Sequence, residues 1–182
     1  MDGGPQHFAL SAIGRDRPGI VAAVSATLLN HRLNIEDSRM TILGGHFAMM
    51  LIVSAPAGTD VAGLSAELEA VGRRLELEAI ALSPVEELET PQPQASHVAT
   101  VYGRDHPGIV HAVASALAQR EIDITDLSTR MAGEEDPPLY GLFMEIAVPR
   151  PELVDELRAE LERVAAEEGV RVSLRELQQD VL

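Results

Sequence analysis

Two octapeptides hold most of the residues whose types and spacing could do chemistry. Gly14-Arg15-Asp16-Arg17-Pro18-Gly19-Ile20-Val21 returns 89 positions later as Gly103-Arg104-Asp105-His106-Pro107-Gly108-Ile109-Val110. Each lies between a strand-like segment and a run with helical spacing, so each marks a helix start. A helix N-terminus offers unpaired N–H groups and positive dipole, which suit a carboxylate, and a glycine lets a ligand approach the backbone. An aspartate beside it can accept from an ammonium group. Together these meet the needs of a free amino acid. Asn34 and Asp123, each 18 residues beyond its aspartate, supply the partner acceptor in each copy: Asp16 with Asn34, Asp105 with Asp123. The candidate ligand residues are therefore Asp16, Arg17, Pro18, Gly19, Ile20 and Asn34, and Asp105, His106, Pro107, Gly108, Ile109 and Asp123. The extra carboxylate of Asp123 opposes a ligand carboxylate, so the two sites are not expected to be equivalent. A plainer reading stands beside this one. The aspartates would cap their helices, Pro-Gly would serve the turn, and Asn34 would only end a helix.

Other chemistry finds little support. His106 and His111 are five apart rather than four, and no third metal ligand is near. Gly14 and Gly19 lack the Lys-Ser/Thr of a phosphate loop, and no dinucleotide fingerprint occurs. No nucleophile and base pair, no carboxylate pair in a cleft and no cofactor motif can be placed, so neither an enzyme nor a cofactor is expected. With no cysteine, disulfides and thiol chemistry are excluded. The formal charge is −15, from 29 acidic and 14 basic residues. Nucleic-acid binders cluster Lys and Arg against phosphates, and here these are scattered among acids, which argues against direct nucleic-acid contact and against an anionic membrane. Residues 1–6 lack a signal peptide's basic start and apolar core, and no apolar run approaches the roughly 20 residues of a membrane span. A cytoplasmic protein is expected.

The elements that must position the loops follow from periodicity. His7 to Ile13 alternates as a strand, Pro18 suits the first turn of a helix, and Ile20, Val21, Val24 and Leu28 recur at helical spacing to His31. Asn34–Leu43 and Phe47–Ala55 flank Gly44-Gly45 as a hairpin, with Met49-Met50 read as core. Val61, Leu64, Leu68, Val71 and Leu75 draw one stripe of a second helix, and Leu77–Val85 closes the unit. Residues 86–95 form a linker. The second half repeats the order: a strand with Val98 and Val101, a helix with Ile109, Val113 and Leu117, a hairpin of Ile122–Met131 and Leu139–Val148 around a long solvated loop, a helix from Leu153 stopped by Gly169, and a strand Val170–Leu177. Arg39 and Arg130 stand near matching strand positions, as surface or as partner contacts. The expected fold is α+β: two ferredoxin-like βαββαβ domains, 1–85 and 96–182, each a four-stranded antiparallel sheet with two helices on one face. Halves of this size are expected to pack on each other or on a second chain, so a homo-oligomer is open.

Asp-x-Pro-Gly-Ile-Val after a first strand, followed by a helix and Asn34-Ile35, resembles the ACT domain, the small amino-acid-sensing module of many metabolic enzymes. Asp105-x-Pro107-Gly108-Ile109-Val110 with Asp123-Ile124 repeats the pattern. More narrowly, Asn34-Ile35-Glu36-Asp37-Ser38-Arg39-Met40 in a freestanding tandem pair resembles the glycine cleavage system transcriptional repressor proteins. The resemblance implies a regulatory protein that binds a small amino acid, glycine or serine first, and acts through a protein partner. It also implies a ligand held between the loop of one domain and its neighbour, touching the positions of Asp16 and Asn34. Two alternatives stay open: an interaction module with vestigial sites, and a detached regulatory subunit of an amino-acid metabolic enzyme.

Overall fold

A computed structural model describes residues 5–86, 93–132 and 139–177. The chain divides into two compact units, Met1–Thr90 and Pro91–Leu182. The first carries β1 (Gln6–Arg15), α1 (Ile20–Asn30), β2 (Asn34–Leu43), β3 (His46–Ala55), α2 (Val61–Arg74) and β4 (Leu77–Val85). The second carries β5 (His97–Arg104), α3 (Ile109–Ala118), β6 (Asp123–Ala132), β7 (Leu139–Ala147), α4 (Leu153–Glu167) and β8 (Arg171–Glu176). The sheets are antiparallel, ordered β2-β3-β1-β4 and β6-β7-β5-β8. Each unit is the expected βαββαβ sandwich. Parts of the sequence-based linker (87–92) and of the long hairpin connection (133–138) lie outside the described residues, as do 1–4 and 178–182.

Alternation along the strands builds one apolar face per sheet, and the helices bury their stripes on it. In the first unit Phe8, Leu10 and Ala12 of β1 and Phe47, Met49, Leu51 and Val53 of β3 meet Ile20, Val24 and Leu28 of α1 and Leu64, Leu68 and Val71 of α2. Met50 is 55% exposed, against the expectation of core. It follows the inward Met49, and the period of two turns it to the other face. In the second unit Ala99, Val101, Leu142, Met144 and Ile146 face Ile109, Val113, Leu117, Leu157, Leu161 and Val164. The helix pairs are also joined by polar contacts. His31 Nε2 lies 3.2 Å from Glu67 Oε2 in the first unit, and Arg120 Nη2 lies 3.6 Å from Glu160 Oε2 in the second.

Gly44 and Gly45, at φ of 57° and 80°, make the tight turn that two positive values allow. Both edge strands bulge at the same place, between Ile35 and Asp37 and between Ile124 and Asp126. Every residue of β2 is exposed, in keeping with an edge strand that pairs only with β3.

Candidate functional site

Each octapeptide spans the turn from the central strand into the first helix. Gly19 is the residue before α1, at φ 97° and ψ −7°, and Gly108 takes the same place before α3 at φ 116° and ψ −26°. Left-handed backbone favours glycine because a Cβ would crowd the following carbonyl. The first helical bonds run from Ala23 N–H to the Gly19 carbonyl and from Ala112 N–H to the Gly108 carbonyl, each 2.9 Å. The N–H groups of Ile20, Val21 and Ala22, and of Ile109, Val110 and His111, therefore have no acceptor within their helices. Among the described residues no side chain caps either helix, so Asp16 and Asp105 are not caps. Pro18 and Pro107 precede the glycine instead of entering the first turn, because the left-handed glycine delays the helix by one residue. Asp16 is exposed, and its backbone N–H donates to the Gly45 carbonyl at 2.9 Å, which fastens the loop to the β2–β3 turn.

The remaining loop residues have structural engagements that local sequence conceals. Ile20 and Ile109 are core side chains, each 2% exposed, so only their backbone can face a ligand. Arg17 Nη2 donates to Glu76 Oε2 at 2.7 Å. His106 places Nδ1 3.1 Å from the Pro107 carbonyl and Nε2 2.9 Å from the Glu168 carbonyl, with Glu168 Oε2 3.7 Å from Nδ1. The two backbone bonds, Pro107 then Glu168, hold the imidazole above its ordinary pKa, and the nearby carboxylates of Glu168 and Asp105 add to this. Arg17 and His106 thus fasten their loops to the ends of α2 and α4. Tyr140 was not among the candidates. It pairs with Gly103 as Phe47 pairs with Gly14, and its phenol is pushed up by burial and then by the charge of Asp105.

Asn34 and Asp123 stand elsewhere. Asn34 pairs with Ser54, which pairs with His7 at the start of β1, whereas Asp16 follows Arg15 at its end. Eight residues of strand separate these levels, about 26 Å at 3.2–3.4 Å per residue. Asp123 pairs with Ala147, beyond the His97 end of β5, and Asp105 follows Arg104 at the other end. One small amino acid cannot touch both members of either pair within one domain. A ligand on both positions of one pair would need the loop of one copy of the fold and the edge strand of another, in keeping with a ligand held between a loop and a neighbouring domain. The first unit does have an open groove of about 190 Å³ at that edge, lined by Val21, Ser25, Ile35, Ser38, Met40 and Leu51 among others. Arg39 and Arg130 are not counterparts, since Arg39 opposes Met50 and Arg130 opposes Gly141.

The ACT domain family matches residues 6–80 and again 97–175. The glycine cleavage system transcriptional repressor of Escherichia coli is 26% identical over 151 residues, 82% of this chain and 78% of that protein. The phosphoserine phosphatase SerB2 of Mycobacterium tuberculosis is 27% identical over 167 residues, 91% of this chain but 39% of the phosphatase. Among solved structures, an unknown protein from Galdieria sulphuraria superposes with a TM-score of 0.79 at 33% identity, covering 96% of this chain and all of that one.

Proposed function

Because this chain belongs to the ACT-domain family, we propose that it is a cytoplasmic regulatory protein that binds a small amino acid and signals to a protein partner. One observation carries the reading. In both units a left-handed glycine exposes an uncapped helix start beside an aspartate, Asp16 or Asp105. The ligand carboxylate sits on the free N–H groups of that start and the ammonium on the aspartate. Asn34 completes the first site from the edge strand of a partner chain, because its own loop is a sheet's length away. β2 favours such an arrangement, with Ile35, Met40, Ile42 and Leu43 exposed along an unpaired edge. The second site carries Asp123 in place of the asparagine and is the weaker. Glycine and serine are the first ligands to try, following the relationship to the Escherichia coli repressor. Regulation proceeds through protein contact, since a net charge of −15 repels nucleic acid.

A second reading, a regulatory unit serving a metabolic enzyme, is favoured by the alignment along most of this chain with part of a phosphatase. An enzyme that copurifies with the chain and changes rate with the amino acid would select it.

Calorimetric titration tests the site. Glycine or serine is expected to bind the Asp105→Ala chain, and binding is lost when Asp16→Ala or Asn34→Ala is added. Refolding those two double variants together should restore about a quarter of the capacity, because half of the two-fold dimers are mixed and each has one intact site. Failure of every common amino acid to bind at millimolar concentration would refute the sensor. A mixture that binds nothing would refute the partner-chain asparagine.

A further inference from the structure

Arg17 and His106 take the same place in the two repeats and do similar mechanical work with different chemistry. Arg17 reaches the carboxylate of Glu76, just past the end of α2. His106 reaches the backbone of Glu168, the residue that ends α4. A guanidinium stays charged throughout the range in which proteins fold, and an imidazole does not. Both ring nitrogens of His106 face carbonyl oxygens, Pro107 at 3.1 Å and Glu168 at 2.9 Å. A carbonyl only accepts, and a neutral imidazole has one N–H. The two bonds coexist only in the imidazolium.

The surroundings favour that cation. The Glu168 carboxylate lies 3.7 Å from Nδ1, and the end of α4 presents the negative pole of its dipole. Asp105 adds negative charge from the loop itself, and Tyr140 of β7, beside Asp105, is a neutral phenol. His111 lies in the first turn of α3.

We propose that His106 is a positioning residue, a protonation-dependent latch that holds the β5–α3 loop to the end of α4 when charged and releases it when neutral, while the guanidinium of Arg17 keeps its charge and holds the first loop across the range in which an imidazole changes its own. Its backbone bonds raise the pKa of His106, so the latch is complete below about 6.5 and is lost as pH rises through the elevated value. The latch stands on geometry alone. Its consequence, that affinity at the second site varies with pH while the first stays constant, rests on the amino-acid site proposed above.

The test is an NMR pH titration of the full chain with no amino acid added, in a His111→Gln background that removes the neighbouring imidazole. The His106 ring should titrate above 6.5, and the Gly108 and Gly169 amides should shift with the same midpoint and exchange faster above it. Gly19 should not follow. His106→Arg should keep the second loop protected at all pH, and His106→Ala should leave it open at all pH. Titration of His106 at or below 6.5, flat Gly108 and Gly169 amides, or persistent pH dependence in His106→Arg would each overturn the latch. Because no ligand is present, a failed amino-acid site leaves this result unchanged.

Discussion

Replacing Gly14 and Gly19 by alanine, one at a time, should weaken the first domain for two different reasons. At Gly19 an added Cβ meets nothing within 4 Å, so space is not the constraint. The constraint is the backbone, at φ 97°, where an L residue costs about 1–2 kcal/mol. At Gly14 the conformation is ordinary but a Cβ would stand 2.9 Å from Leu77 Cα and 3.2 Å from the Glu78 nitrogen. Those atoms belong to β4, which pairs with β1 and shifts register at this residue, and a backbone cannot turn aside as a side-chain end can. Overpacking of this kind costs about 1–3 kcal/mol. For a domain of this size each kcal/mol lowers the midpoint of thermal unfolding by about 4–8 °C. Circular dichroism melts and urea titrations of the two variants supply the numbers, and asparagine separates the causes. Asn tolerates left-handed backbone, so Gly19→Asn should recover much of the loss in Gly19→Ala. Gly14→Asn should be worse than Gly14→Ala. A Gly19→Ala chain as stable as the parent would refute the backbone argument, and a harmless Gly14→Ala would refute the close approach of β1 and β4.

Two further outcomes are expected. Asp60 caps α2 by accepting from the Gly63 N–H at 3.0 Å, so Asp60→Ala should cost about 0.5–2 kcal/mol in urea unfolding, while Asp60→Asn should cost much less. The Tyr140 phenol should ionise above the ordinary value near 10 in an ultraviolet titration; Asp105→Asn should lower the midpoint only partly, because burial is the larger cause.

Most of the fold was legible because burial writes itself locally. The stripe Leu64, Leu68, Val71 and the alternation Phe8, Leu10, Ala12 give helix and strand without reference to anything distant. The candidate site was legible only in part. Asp16 and the two glycines are where the pattern requires them, but the partners of Arg17 and His106 lie 59 and 62 residues away, and no local signal announces them. Laying the second repeat on the first finds Tyr140, where a phenol stands in place of the phenyl ring of Phe47. Ile20 serves two purposes that local sequence does not separate. Its neighbours suggested a ligand loop, yet the same residue begins the helical stripe that the core claims.

The 18-residue spacing shared by Asp16 to Asn34 and Asp105 to Asp123 looked like the signature of a site and has another cause. A strand that must be followed by a second strand of the same sheet through a helix sends the chain back along its own length. α1, with 11 residues, and α3, with 10, each carry it about 15–17 Å, and the turns at both ends make up the rest. The spacing therefore measures the length of the return path. Equal spacing in the two copies follows from equal sheets and says nothing about a shared ligand. What it does determine is that the loop and the start of the edge strand lie at opposite ends of each domain. Any ligand that needs both has to recruit a second fold, so affinity at such a site would depend on how two folds are brought together. Dilution of the chain should then weaken amino-acid binding, whereas a site complete within one domain would be indifferent to it.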